Sequence, residues 1–152
     1  MAKIFNKDTI AAKTLSGGAL RRVLLDDRIT SNDNIRLDHW DLESGCTMPL
    51  SSAEGDITWL QVLDGTVQLS GSEGTHTLGN QHLTFLPSGF EGRVEGGEGT
   101  RILHARVPGA ARFDPAFADT PPGFRVVDWS KEPVLDSTHD ARKRIYFVTP
   151  QL

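Results

Sequence analysis

The stretch from Ile57 to Ser70, ITWLQVLDGTVQLS, contains two β-prone runs on either side of Asp64-Gly65. β-Branched and aromatic residues favour strands, and an Asp-Gly pair is a common turn between two paired strands. We therefore predict a β-hairpin here. Because side chains alternate along a strand, Thr58, Leu60 and Val62 are expected to share one face.

Similar short runs continue on both sides of this stretch, with glycines and prolines between them. The predicted strands outside it are residues 35–42, 76–78, 82–86, 101–107, 124–127 and 144–148. Short strands at this spacing are typical of an all-β sandwich or barrel. The best helical candidate is the segment from Lys7 to Leu15, and residues 110–122 are predicted to be an irregular, Pro-rich wrap.

Composition restricts the classes of function. A chain of 152 residues suits one domain, and its net charge of −4 with scattered basic residues argues against a nucleic-acid partner. The short basic cluster Arg142–Arg144 is interpreted as a solvated strand end. No apolar run is long enough to span a membrane, and the first residues lack a signal-peptide pattern. The single cysteine, Cys46, excludes an internal disulfide and predicts a cytoplasmic location.

The central part of the chain, from Gly45 to Val107, resembles the cupin superfamily, in particular the RmlC-like cupins. Gly45 and Gly65 match the two ends of the first cupin motif, Gly-x5-His-x-His-x3,4-Glu-x6-Gly. The segment from Phe85 to Gly89 matches the middle of the second motif, Gly-x5-Pro-x-Gly-x2-His. The resemblance implies an all-β, cupin-like double-stranded β-helix, or jelly-roll barrel. We expect a single domain over residues 1–152, with the barrel core at about residues 30–108.

The departures from these motifs fall on the metal ligands. Ser51 and Ala53 stand at the positions of the two histidines, Thr58 at that of the glutamate and Gly92 at that of the last histidine. Transition metals need several converging imidazole or carboxylate donors, which these residues do not supply. We therefore predict no metal and no other cofactor, and the alternative is a metal site rebuilt from His39, His104 and a nearby carboxylate.

Two histidines and several barrel residues are the candidate site. His39 and His104 lie within predicted strands, where each is either a general acid or base or an ordinary strand histidine. Five other residues are expected to contact a small-molecule ligand: Ser51, Thr58, Leu60, Trp40 and Trp59. The alternative for them is that they fill a closed core, with no ligand cavity.

Several functions remain open at this point. The first is a metal-independent cupin-like domain that binds a small molecule as a sensor, carrier or accessory protein. The second is a metal-independent isomerase, epimerase or cyclase that uses His39 or His104 as acid or base. The third is the non-catalytic half of a double-cupin protein, and an ordinary metal-dependent oxygenase is the fourth. A homodimer is also expected, because the β-prone segment 144–148 needs a partner strand.

Overall fold

The computed structural model of the protein describes residues 6–136 and 143–144. Its strands are β1 (Lys13–Thr14), β2 (Leu20–Leu25), β3 (Arg36–Leu42), β4 (Thr47–Ser51), β5 (Ile57–Asp64), β6 (Thr66–Gly71), β7 (Gly74–Gly79), β8 (His82–Leu86), β9 (Glu91–Gly96), β10 (Thr100–Val107), β11 (Arg125–Asp128), β12 (Leu135–Asp136) and β13 (Lys143–Arg144). Two short α-helices, α1 (Asp27–Thr30) and α2 (Ala116–Asp119), and two 3-10 turns, Lys7–Thr9 and Ala110–Arg112, complete the elements.

The strands form two principal antiparallel sheets. The larger sheet has the order β1-β2-β3-β10-β5-β8-β11, and the smaller has the order β4-β9-β6-β7. The short strands β12 and β13 pair with each other and form a third, two-stranded sheet. Successive strands of the chain repeatedly cross from one sheet to the other, which is the jelly-roll arrangement. The all-β prediction is confirmed.

The predicted hairpin at Asp64-Gly65 is wrong. The strand β5 pairs with β10 and β8 in the large sheet, whereas β6 pairs with β7 and β9 in the small one. The chain therefore changes sheets at Gly65, which adopts a φ of 71°. A true two-residue hairpin follows instead between β6 and β7, where Gly71 lies opposite Gly74.

One apolar core lies between the two sheets. Along β5 the buried residues alternate as predicted, since Thr58, Leu60 and Val62 are at most 1% exposed. The small sheet contributes Leu69 and Val94, among others, to the same cluster. Burial of this apolar surface is the main force that holds the sheets together.

The ends of the chain differ from expectation in the parts that are described. The predicted helix from Lys7 to Leu15 is wrong, because that segment forms a 3-10 turn at Lys7–Thr9 and the strand β1. The wrap at residues 110–122 contains a 3-10 turn and α2. Residues 145–148 of the predicted terminal strand lie outside the described residues. No helix within residues 6–136 has the length and apolar character needed to cross a membrane.

Candidate functional site

A cavity of about 420 Å³ lies between the strands β2, β3 and β10 of the large sheet and the strand β4 of the small sheet. Its polar wall is formed by Arg21, Arg36, Asp38, His104 and Arg106. Its volume falls in the range of about 300–1,000 Å³ that is usual for small-molecule sites.

Strand register explains why these polar side chains meet. In the β3–β10 ladder, Asp38 lies opposite His104 and Arg36 lies opposite Arg106. Directly opposed residues in an antiparallel pair project from the same face of the sheet. Arg36 and Asp38 are also two residues apart on one strand, so both pairs line one side of the barrel.

Asp38 organises the middle of this wall. Its carboxylate is almost fully buried and forms a salt bridge with Arg21, with Nη2 at 2.8 Å from Oδ2. The Nδ1 atom of His104 lies 3.9 Å from the same oxygen. A buried carboxylate needs such partners, because isolated charge is costly to bury. Asp38 thus holds Arg21 in place at the cavity and lies beside His104.

The wall carries more positive than negative charge. Arg106 is directed to Asp56, with 3.5 Å between Nε and Oδ2. The guanidinium of Arg36 forms no salt bridge within the described part of the chain, and the residue is exposed at the cavity. Since three arginines and one aspartate line the cavity, a bound anion would find favourable charge there.

Three of the lining residues also have buried nitrogen atoms that lack a hydrogen-bond partner in the described structure. They are Nε of Arg21, Nε1 of Trp40 and Nε2 of His104. The His104 ring stacks on Trp40 at 4.7 Å between ring centroids. An unsatisfied buried polar group costs about 1–3 kcal/mol, so these nitrogens just behind the cavity surface are a cost to the fold.

Solved structures with the same architecture support this description of the fold. Protein YlbA from E. coli matches 86% of this chain with a TM-score of 0.69 and 14% identity, and the match covers 53% of that protein. A predicted oxalate decarboxylase from Thermotoga maritima matches 69% of this chain and 98% of its own, with a TM-score of 0.61 and 16% identity. The chain has the cupin fold.

Another solved structure has the same fold, and its similarity does not indicate a function for this chain. KdgF from Halomonas sp. covers 70% of this chain and 94% of its own, with a TM-score of 0.60 and 12% identity. The chain spans about half of the length of the E. coli protein. No family model and no curated protein matches the sequence.

The positions of the usual cupin metal ligands do not fit a metal in this chain. Thr58 is fully buried, and its Oγ1 atom accepts a hydrogen bond from Ser52 Oγ at 2.9 Å. A Cβ atom at position 92 would lie 2.4 Å from the Ser70 carbonyl oxygen and 2.7 Å from the Phe90 ring. In residues 6–136, no three His, Cys, Asp or Glu side chains are grouped so that they could hold a metal ion.

The structure brings together only some of the predicted site residues. Trp40, Ser51 and His104 line the cavity. Thr58 and Leu60 lie in the closed core and are not among the lining residues, and the hydroxyl beside Thr58 belongs to Ser52 rather than Ser51. Trp59 packs against Phe85 at 6.5 Å between centroids, also outside the cavity. Binding roles for these residues remain predictions.

His39 occupies the opposite face of β3. It lies between Asp38 and Trp40 in sequence, so alternation directs its side chain away from the cavity that these two residues line. His39 is only 2% exposed, and burial lowers its pKa below the ordinary value although Asp41 lies 3.7 Å away. His39 and His104 therefore do not share a site.

Four functional candidates were missed by the sequence analysis: Arg21, Arg36, Asp38 and Arg106. A signal for three of them was present. Arg36, Asp38 and Trp40 alternate along a predicted strand, and His104 and Arg106 alternate along another. Two such polar rows predict a polar face only once their strands are known to be neighbours.

Proposed function

We propose that this protein binds a small organic anion in the cavity of its cupin barrel, and that it acts as a metal-independent sensor, carrier or accessory protein. The observation that carries the proposal is the arginine-rich wall, which stands out in a chain with a net charge of −4. An ordinary hydrophobic core would not place Arg21, Arg36 and Arg106 around one space.

The remaining wall supports the same class of ligand. The cavity also has apolar lining residues. Trp40 lies on β3 beside the charged groups, and Met48 and Leu50 lie on β4 of the other sheet. Guanidinium groups bind carboxylates, like phosphates, in a planar, two-point geometry, and we take the carboxylate as the simplest anion of this kind. A compound with a carboxylate and a small hydrocarbon or ring portion is therefore the proposed ligand.

Matched acids and amides test the proposal. Butanoate, succinate and benzoate are expected to raise the melting temperature by several degrees at saturating concentration, because a ligand that binds only the folded state stabilises it. Butanamide, succinamide and benzamide, which have the same shapes without the charge, are expected to have little effect. Differential scanning fluorimetry at constant ionic strength makes the comparison. Equal shifts with acids and amides would rule out recognition of the anion.

A second candidate function is proton transfer on the bound acid by His104. The observation that favours it is the orientation of the ring, which is stacked on Trp40 with Nδ1 towards Asp38 and Nε2 unpartnered. Stacking on one side and a carboxylate beside one ring nitrogen limit the orientations of a histidine ring. Nε2 would then take a proton from the carbon beside the ligand carboxylate and later return it, as isomerases and epimerases do.

Deuterium exchange distinguishes this activity from simple binding. In D2O, butanoate or succinate, whichever has the larger effect in the melting assay, is expected to exchange a proton on the carbon beside its carboxylate in the presence of the native protein. The variant His104→Gln should still bind the acid but exchange it no faster than buffer does. Proton NMR follows the exchange. Equal exchange by His104→Gln and the native protein would exclude His104 from catalysis.

A further inference from the structure

A second cavity, of about 350 Å³, adjoins the first. It lies between the segment at Ile10, the strand β2 and the helix α1, and Arg21 lines both cavities. In the β1–β2 ladder Arg21 is opposite Lys13, and in the β2–β3 ladder it is opposite Trp40. Arg21 therefore stands on the boundary between the two spaces, and the second cavity continues the same inner surface towards the sheet edge.

The two cavities differ in chemistry. Apolar side chains of Ile10, Ala11, Val23 and Ile29 form most of the second wall. Its one acidic residue, Asp26, is already engaged. Its Oδ2 atom accepts hydrogen bonds from Arg28 Nε at 2.9 Å and Nη2 at 2.7 Å, while its Oδ1 atom caps α1.

The charged groups at this second space consequently leave little for a polar ligand to bind. Arg28 is tied to Asp26, and the salt bridge to Asp38, which lines the first cavity and not the second, directs the Arg21 guanidinium away from this space. Lys13 is exposed on the short edge strand β1, where its hydrocarbon stem can lie along apolar surface while its ammonium group remains in water. An apolar group fits this space better than an anion.

We propose that the second cavity holds the hydrocarbon part of the ligand whose anionic group lies in the first. The ligand class is then a carboxylic acid with an apolar chain of several carbons. This inference rests on the proposed function. Arg21 would contact the ligand where its polar and apolar parts join, with the guanidinium facing the head group and its stem facing the chain. Neither cavity alone would favour an acid with a hydrocarbon chain of several carbons. The two cavities together, which share Arg21, would favour it.

A series of acids tests the length of chain that the protein accepts. Isothermal titration calorimetry with butanoate, hexanoate and octanoate is expected to show tighter binding at each step, by about fourfold per added methylene that becomes buried. The variants Ile29→Trp and Ala11→Trp should fill the second cavity and remove this dependence on length. Both should leave the affinity for butanoate within about twofold of the native value. Two variants are used because Ala11 is exposed in a loop and tolerates change more readily than Ile29.

The control variant is Leu63→Trp, which adds a tryptophan at an exposed position that lines neither cavity and should keep the dependence on length. Equal affinities for all three acids in the native protein, with butanoate still bound, would overturn this inference alone. A dependence on length that survives in both filled variants would also overturn it. Failure of every acid to bind, including butanoate, would instead remove the proposed function itself.

Discussion

Replacing Gly92 by alanine is expected to destabilise the protein by about 2–3 kcal/mol, because the added methyl group has no room. An ideal Cβ atom there would lie 2.4 Å from the backbone oxygen of Ser70, on the neighbouring strand β6. It would also lie 2.7 Å from the ring of Phe90, which is 3% exposed. That ring cannot retreat towards β6, since it already packs over Gly71. Urea unfolding followed by tryptophan fluorescence measures the change.

The matched control is Gly123→Ala, at a position where an added Cβ atom meets nothing within 4 Å. It is expected to change the free energy of unfolding by less than about 0.5 kcal/mol. A Gly92→Ala variant as stable as the control would mean that the space beside Phe90 is larger than the structure shows. The expected result has a functional consequence. The histidine that cupins usually place here cannot be restored by one substitution, because Phe90 and the Ser70 carbonyl occupy its place.

The strands that the sequence predicts correctly are those whose residues alone favour extended backbone. The segments at 82–86 and 101–107 are rich in β-branched, aromatic and leucine residues, and both form strands. The sequence cannot say which sheet a strand joins. Asp64-Gly65 has the composition of a hairpin turn, yet the chain passes there from one sheet to the other. Partner choice depends on contacts with β10, which is distant in sequence.

Among the strands that escaped prediction, β2, β4 and β9 contain residues that weaken the strand signal in the sequence. β2 contains two adjacent arginines, β4 contains Pro49 and β9 contains Gly92 and Gly96. The last two are accounted for by their surroundings. β4 is an edge strand of its sheet, where a proline is tolerated because only one side needs backbone donors. The glycines of β9 lie beside side chains and backbone that leave no room for a Cβ atom.

The candidate site was predictable only in part, because it also depends on which strands are neighbours in the sheet. The cupin resemblance placed Ser51 at the position of a motif histidine, and the composition of single strands indicated Trp40 and His104. The arginines indicate a binding site only as a group. Arg21, Arg36 and Arg106 come from three strands that lie side by side in the sheet. For His39 the strand was predicted correctly but the face was not known. A shift of one residue along a strand moves a side chain to the opposite face of the sheet.

Reversal of charge at Arg36 is expected to have the largest effect on ligand binding. Arg36 forms no salt bridge within the described residues and is exposed, so Arg36→Glu removes a cation from the cavity without leaving a buried partner unpaired. Loss of a charged contact that the bound ligand buries costs about 2–5 kcal/mol, and the introduced carboxylate adds repulsion. The affinity for an organic anion should therefore fall by about a hundredfold or more. Arg106→Glu, opposite it on β10, should act in the same direction.

The matched control is Arg93→Glu, which changes the net charge by the same amount at an exposed position of β9 outside the cavity lining. Isothermal titration calorimetry of octanoate and succinate into the native protein and these variants is the most direct test of the anion site. We expect about a hundredfold weaker binding for Arg36→Glu and an affinity within about twofold of the native value for Arg93→Glu. Equal losses in both variants would show that overall charge is responsible, and unchanged binding by Arg36→Glu would place the ligand outside this cavity.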